Sequence, residues 1–199
     1  AAGPNQTLET PMGVGGESLH TWMFKTRFWH DMVGKEGGDE GIDNTFAMEG
    51  DEGIGATIMG RNMFGPIRGE WGDSDWKGWW GEEPPYHHPV FVLTHHPHPP
   101  IEMQGGTIFN FVTDGIEAAF ERAVEEAEGR DVRVGGGASV VQQYMRAGLL
   151  DEAHIVISPI LLGGGERLFD NLGESLGRYR CTESVGSGAV THVRIAKAD

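Results

Sequence analysis

The chain of 199 residues contains a single cysteine, Cys181. One thiol excludes internal disulfides and cysteine-based zinc clusters, and it fits a reducing, cytoplasmic compartment. Lysine is scarce as well, with four residues, and the formal net charge is −15. So acidic a surface repels phosphodiester backbones, which argues against DNA or RNA as partner. An anionic small ligand would need local donors against this field, from helix N-termini and a few arginines. No run of about 18 apolar residues occurs, so no membrane-spanning helix is expected. No basic and apolar leader opens the chain. G-x-S-x-G and G-x-x-x-x-G-K-[ST] are both missing, which argues against an activated serine and against nucleoside triphosphate hydrolysis.

What is present is a series of apolar segments punctuated by glycine. Apolar residues at three- and four-residue spacing predict a helix over Glu17 to Val33, followed by a glycine- and acid-rich loop. Asn44 is expected to cap a short helix through Asp51. Strands are expected over 55–60, 89–94, 107–113, 131–134 and 153–161, with a C-terminal hairpin over 177–185 and 189–197 turning at Gly186-Ser187-Gly188. Between them, a short helix follows Arg61, a second is capped by Asp114 and presents Ile116, Ala119, Phe120, Ala123, Val124 and Ala127 on one face, and a third spans Ala138 to Ala147. Residues 65–86 carry Trp71, Trp76, Trp79 and Trp80 in a loop long enough to be a functional lid, a wall or an interface. Strands alternating with helices imply one α/β domain, 1–199, with a mainly parallel sheet and an antiparallel terminal hairpin.

In parallel sheets ligands bind at the carboxyl ends of strands, so the residues after each strand are the candidates. The turn Val134-Gly135-Gly136-Gly137-Ala138-Ser139 joins a strand to a helix. Without Cβ atoms it admits a pyrophosphate close to the backbone, although the pattern is not G-x-G-x-x-G and a plain turn has the same composition. Gly60-Arg61-Asn62 sets a guanidinium beyond another strand end, suited to a phosphate oxygen or to the surface. His87, His88, His95, His96 and His98 fall within twelve residues and raise a metal reading. Adjacent histidines on a strand point to opposite sides, however, and prolines stiffen the segment, so no metal is assigned. A second glycine turn, Leu161 to Phe169, places Arg167 where it suits a substrate anion or a neighbouring acid.

Taken in order, these motifs carry a resemblance. Gly-Ala-x-Ile-Met-Gly-Arg-x-Met-Phe at 55–64, Val-Phe-Val-Leu-Thr-His at 90–95, Phe-Val-Thr-Asp-Gly-Ile-Glu at 111–117, Val-Gly-Gly-Gly-Ala-Ser at 134–139, Ala-Gly-Leu-Leu-Asp-Glu from 147 and Leu-Leu-Gly-Gly-Gly-Glu-Arg-Leu-Phe-Asp to 170 resemble the dihydrofolate-reductase-like family that includes the C-terminal reductase domain of the riboflavin enzyme RibD. The resemblance implies a three-layer fold with a mostly parallel central sheet, NADPH as hydride donor and a homodimer. It implies that Gly60, Arg61 and Asn62 lie along the cofactor phosphates, and that Thr94 and His95 lie near the adenosine 2′-phosphate. It further implies that Gly135, Gly136, Gly137, Ala138 and Ser139 hold the pyrophosphate, with Thr113 and Asp114 at the adenine side. Substrate is expected between the helix carrying Trp22 and the strand end at Pro159 to Leu161.

Two departures bear on function. The family opens with a strand ending near Ser-Leu-Asp-Gly-Phe, ahead of a segment like Ala2-Gly3-Pro4-Asn5. That strand is missing, so either the sequence begins downstream of it or the sheet closes differently. The first helix offers Glu17, His20 and Asp31 and no assured inward carboxylate, which argues against dihydrofolate and leaves the proton donor open, water included. The expectation is an NADPH-dependent reductase of a small heterocyclic or carbonyl-type substrate, with reduction of 5-amino-6-(5-phosphoribosylamino)uracil among the family activities. The alternatives are a dinucleotide-binding or regulatory protein without turnover, and a histidine-cluster metal-binding protein.

Overall fold

The computed structural model describes residues 5–66, 68–72, 75–173 and 177–198. They fall into two compact units. One, Gln6–Pro11 with Gly53–Val141, is built on a five-stranded sheet. Its strands are β1 (Ile54–Gly60), β2 (Pro89–Leu93), β3 (Ile101–Glu102), β4 (Ile108–Val112) and β5 (Asp131–Gly136), in the order β3-β4-β2-β1-β5. β4, β2, β1 and β5 run parallel, and only β3, a two-residue strand, is antiparallel.

β1 explains why the sheet forms here. Its residues Gly55 to Gly60 are all buried, as expected of a strand bonded on both edges and covered on both faces. The helix α5 (Ile116–Glu126) packs on β1, β2 and β5, with Ala119, Ala123 and Ala127 completely buried at four-residue spacing. Small residues allow close approach, and Gly55 sits directly under Ala127. Val124, expected on that face, is exposed. The opposite face carries Met59, Val90, Val92 and Phe109 together with Phe64 of α4 (Arg61–Phe64). What covers it is the aromatic segment: Trp71, Trp76 and Tyr86 pack on this cluster, and the Trp76 Nε1–H donates to the Phe64 carbonyl at 2.9 Å. The tryptophans therefore stand where a second layer of helix would otherwise shield a parallel sheet.

The second unit comprises Ala1–Asn5, Met12–Glu52 and Gln142–Asp199. The helix expected over Glu17 to Val33 is broken into a 3-10 turn (Gly16–His20), α1 (Thr21–Phe24) and α2 (Arg27–Met32). Thr26 makes the break: it is extended, its hydroxyl donates to the Met23 carbonyl, and it accepts the Trp29 N–H as an N-cap. Asn44 does not cap α3 (Ile42–Glu49), which starts from Gly41; its side-chain oxygen instead accepts the Phe28 N–H at 2.7 Å. Likewise α5 starts from Gly115 at φ 94°, not from Asp114. The strand expected over 153–161 is β6 (Glu152–Ile157), and it stops before Pro159. It joins the C-terminal hairpin, β7 (Tyr179–Gly186) and β8 (Thr191–Lys197), in an antiparallel sheet ordered β6-β8-β7. The hairpin thus pairs with β6 and not with an edge of the parallel sheet. Helix α6 (Ala138–Ala147) begins in the first unit and continues into the second.

Gly55→Ala tests the contact under α5. A Cβ there would meet the Ala127 carbonyl oxygen at 2.5 Å and its Cα at 2.9 Å. Backbone on both sides gives way poorly, so the variant is expected to lose about 1–3 kcal/mol. The urea midpoint should fall with an unchanged m-value; an unchanged midpoint would show that the helix yields freely.

Candidate functional site

Parallel pairing brings four strand ends of the first unit to one edge of its sheet. Thr57 to Gly60 of β1 register with Val90 to Leu93 of β2, and β2 registers with Ile108 to Val112 of β4. The Thr94 N–H donates to the Val112 carbonyl at 3.0 Å, which aligns the residues following β2 and β4. On the other side Met59 registers with Gly136. A Cβ on Gly60 would meet Val140 at 2.9 Å and would lie within 4 Å of the Gly137 nitrogen and Gly136 oxygen. Gly60 and the glycine turn are therefore in direct approach.

The turn itself departs slightly from expectation. β5 runs on to Gly136, which takes φ 110°, a conformation open to glycine and strained for other residues. The Gly136–Gly137 peptide is cis. Val140 and Val141 both donate their N–H to the Gly137 carbonyl, starting α6; Ala138 is buried and Ser139 exposed. Asn62, Thr113, Asp114 and His95 are exposed at the same edge, and Thr94 is buried with its hydroxyl accepting the His96 N–H at 3.1 Å. The Asn62 carbonyl accepts from the Gln6 side chain at 3.0 Å.

Arg61 is the chemically decisive residue. Its Cζ lies 3.7 Å from the Trp71 ring centre. Its Nε and Nη2 atoms are buried and have no hydrogen-bond partner among the described residues. Burial lowers its pKa, with the positive charge of Arg68 adding to the effect and Glu70 opposing it. A cation with orphaned buried donors is costly unless an anion meets it. Because Nε–H and Nη2–H share one edge of the guanidinium, they form the side-on fork that takes two oxygens of a phosphate or carboxylate.

The histidines between 87 and 98 are dispersed rather than convergent. His87 Nδ1 lies 2.9 Å from the Gly105 carbonyl, His88 Nε2 lies 2.8 Å from the Thr57 hydroxyl, and His96 Nδ1 lies 3.0 Å from Glu70. Among the described residues no three metal-ligating side chains gather. The substrate candidates belong to the second unit. Trp22 is half-buried, with its ring edge-on to His192 at 5.1 Å; Pro159 and Arg167 are exposed, and Leu161 is fully so. The Arg167 carbonyl accepts from Gln142 at 2.7 Å.

Sequence reasoning passed over one polar cluster in this second unit. His192 on β8 is wholly buried, with Nε2 2.8 Å from Asp43 Oδ1 and Nδ1 2.9 Å from His154 Nε2. Its ring lies flat on Phe46 at 4.2 Å. With the carboxylate taking the Nε2–H, the Nδ1 lone pair accepts the Nε2–H of His154. His154 on β6 remains open to solvent on one side. The only signal in the sequence was a histidine on each of two strands, and nothing local linked them to Asp43.

The sequence itself then matches a model of the RibD C-terminal domain over residues 23–193. The chain belongs to the RibD C-terminal domain family. Its similarity to the uncharacterized protein YwjB of Bacillus subtilis (strain 168) is 30% identity over 83 residues, 41% of this chain and 47% of YwjB, so the match spans about half of that relative. A Shewanella sp. PV-4 protein provisionally assigned to riboflavin biosynthesis is similar in structure, with TM-score 0.55 and 24% identity over 85% of this chain and 88% of that one. A pyrimidine reductase-like protein of Corynebacterium diphtheriae gives TM-score 0.51 and 14% identity over 86% and 84%. At these identities the structural likenesses establish the fold, an α/β arrangement with a mostly parallel central sheet and an antiparallel hairpin sheet, which RibD C-terminal domains share. Among the described residues no helix is long and apolar enough to cross a membrane.

The histidine pair yields a pH dependence. Burial first, then electrostatic coupling to the His192 ring and to Arg194, lowers the His154 pKa from 6.5 to about 4. The unfolded chain therefore takes up this proton first, and the stabilisation present above pH 6.5 is lost as pH falls toward 4. His154→Gln should flatten that part of the stability profile measured by urea titration at several pH values. An identical slope in both proteins would place the acid sensitivity elsewhere.

Proposed function

We propose that this chain is an NADPH-dependent reductase acting on a small heterocyclic or carbonyl-type substrate. The observation that carries the reading is the orphaned side-on fork of Arg61, next to the close approach of Gly60 and the Gly136–Gly137 turn. Two buried N–H donors of one guanidinium, unbonded by protein and set beside glycine backbone, fit a phosphorylated dinucleotide laid across the strand ends. The family adds weight: a Thermotoga maritima relative of the same fold (TM-score 0.50, 13% identity, 80% of this chain and 49% of that one) is a deaminase and 5-amino-6-(5-phosphoribosylamino)uracil reductase. The aminouracil is accordingly the first substrate to try.

In this reading the bound nicotinamide supplies a hydride, and the protein supplies everything else by position. Arg61 neutralises a phosphate and fixes the adenosine end. Gly60 and Gly135 to Ser139 bring backbone against the pyrophosphate, and α6 directs its positive end toward it. Thr94 and His95 border the phosphate seat, with Thr113 and Asp114 farther along the edge. Trp22, Pro159, Leu161 and Arg167 remain the candidates for contact with the acceptor, and water is one candidate for its proton donor.

The test combines binding with turnover. Isothermal titration should show NADPH binding more tightly than NADH. Removing a charge-assisted fork costs about 1.5–3 kcal/mol, so Arg61→Ala should weaken NADPH roughly 10- to 150-fold and NADH much less. Equal losses would remove the phosphate role from Arg61. Bound NADPH should be oxidised in a single turnover by the aminouracil or a related heterocycle. Tight binding without oxidation by any of a panel of such acceptors would favour a dinucleotide-binding protein without turnover.

A further inference from the structure

The phosphate seat has a second component that the dinucleotide reading does not use. A guanidinium on a three-carbon stem rotates freely unless something holds its plane. Here Trp71 does so, with its ring 3.7 Å from Arg61 Cζ. Stacking occupies the face of the guanidinium and makes no use of its in-plane N–H groups. The two orphaned donors, Nε and Nη2, are in-plane and share one edge.

Trp71 is itself braced from several directions. Its Nε1–H donates to the His96 carbonyl at 2.9 Å. Its ring meets those of His98 and Phe111 edge-on, each at 5.0 Å. The preceding residue, Glu70, lies 3.0 Å from His96 Nδ1, and the His96 N–H is held by Thr94. A continuous path of contacts thus runs from the end of β2 through His96 to Trp71 and on to Arg61.

We propose that Trp71 is a positioning residue: it fixes the plane of Arg61 so that the Nε–Nη2 edge takes two oxygens of a terminal phosphate monoester, and so sets the preference for a phosphorylated over an unphosphorylated dinucleotide. This rests on the dinucleotide reading above. A tryptophan that served only as core cover would, when truncated, lower stability and weaken both dinucleotides alike.

The experiment is a double-mutant cycle on the full chain, with NADPH and NADH affinities measured by calorimetry for the parent, Trp71→Ala, Arg61→Ala and the double variant. Trp71→Ala is expected to cut the NADPH-to-NADH affinity ratio about tenfold and to add nothing further once Arg61 is gone. Trp71→Phe, which keeps an aromatic face but loses the bond to His96, should fall between. If the alanine variant fails to fold, Trp71→Leu keeps apolar bulk without an aromatic face and takes its place in the cycle. An unchanged ratio, equal losses for both dinucleotides, or simple additivity of the two substitutions overturns the proposal. If the parent binds neither dinucleotide, the reductase reading fails separately. The seat is then titrated with inorganic phosphate: binding lost in both Trp71→Ala and Arg61→Ala upholds it, and no such binding overturns it.

Discussion

The hydrogen-bonded pairing of β1 between β2 and β5 is the constraint on which the first unit depends. A strand paired on both edges and covered on both faces has no outlet for a polar side chain, so its sequence runs Ile-Gly-Ala-Thr-Ile-Met-Gly. Its single polar member, Thr57, is satisfied by the equally buried His88. Chemistry begins where this enclosure ends. Gly60 turns the chain out and Arg61 follows at once, while parallel registry delivers the ends of β2, β4 and β5 to the same edge. The gathering of these strand ends is thus a by-product of how the core is closed.

The two faces of that sheet are closed by different means, and the difference matters for the seat. One has a regular helix with an alanine stripe, which is cover and little else. The other has an irregular aromatic segment whose Trp71 meets both the core cluster and the Arg61 side chain. One residue therefore both covers the core and stacks on the cation. The order of the core and the orientation of the cation are coupled through a single indole.

Much of this was legible in the sequence. β1, β2, β4, α5 and α6 declare themselves through continuous apolar runs or three- and four-residue spacing bounded by glycine, and the residues at their ends could be named. The failures have a common cause: a partner distant in sequence overrides a local pattern. Apolar spacing continues straight through Thr26, so the break between α1 and α2 is invisible until the threonine hydroxyl is seen to donate to the Met23 carbonyl and accept the Trp29 N–H. Asn44 has the chemistry of a cap and spends it on Phe28. β6 reads as one more parallel strand because nothing within it specifies that its neighbour is β8. The Asp43–His192–His154 chain draws on three elements and has no local signature at all. Arg61 could be named from its position, but its orphaned edge and its stacking partner could not, because both depend on where residues 70 and 71 come to rest.

The two unbonded donors of Arg61 also bear on the stability of the fold itself. Unfolding returns those two N–H donors to water, whereas folding takes them out of water without giving them a protein acceptor, which is a local cost to conformational stability. An anion that met them only in the folded chain would shift the balance toward it by mass action. Proteolysis draws on the open population, so in that event cleavage of the chain would slow as well.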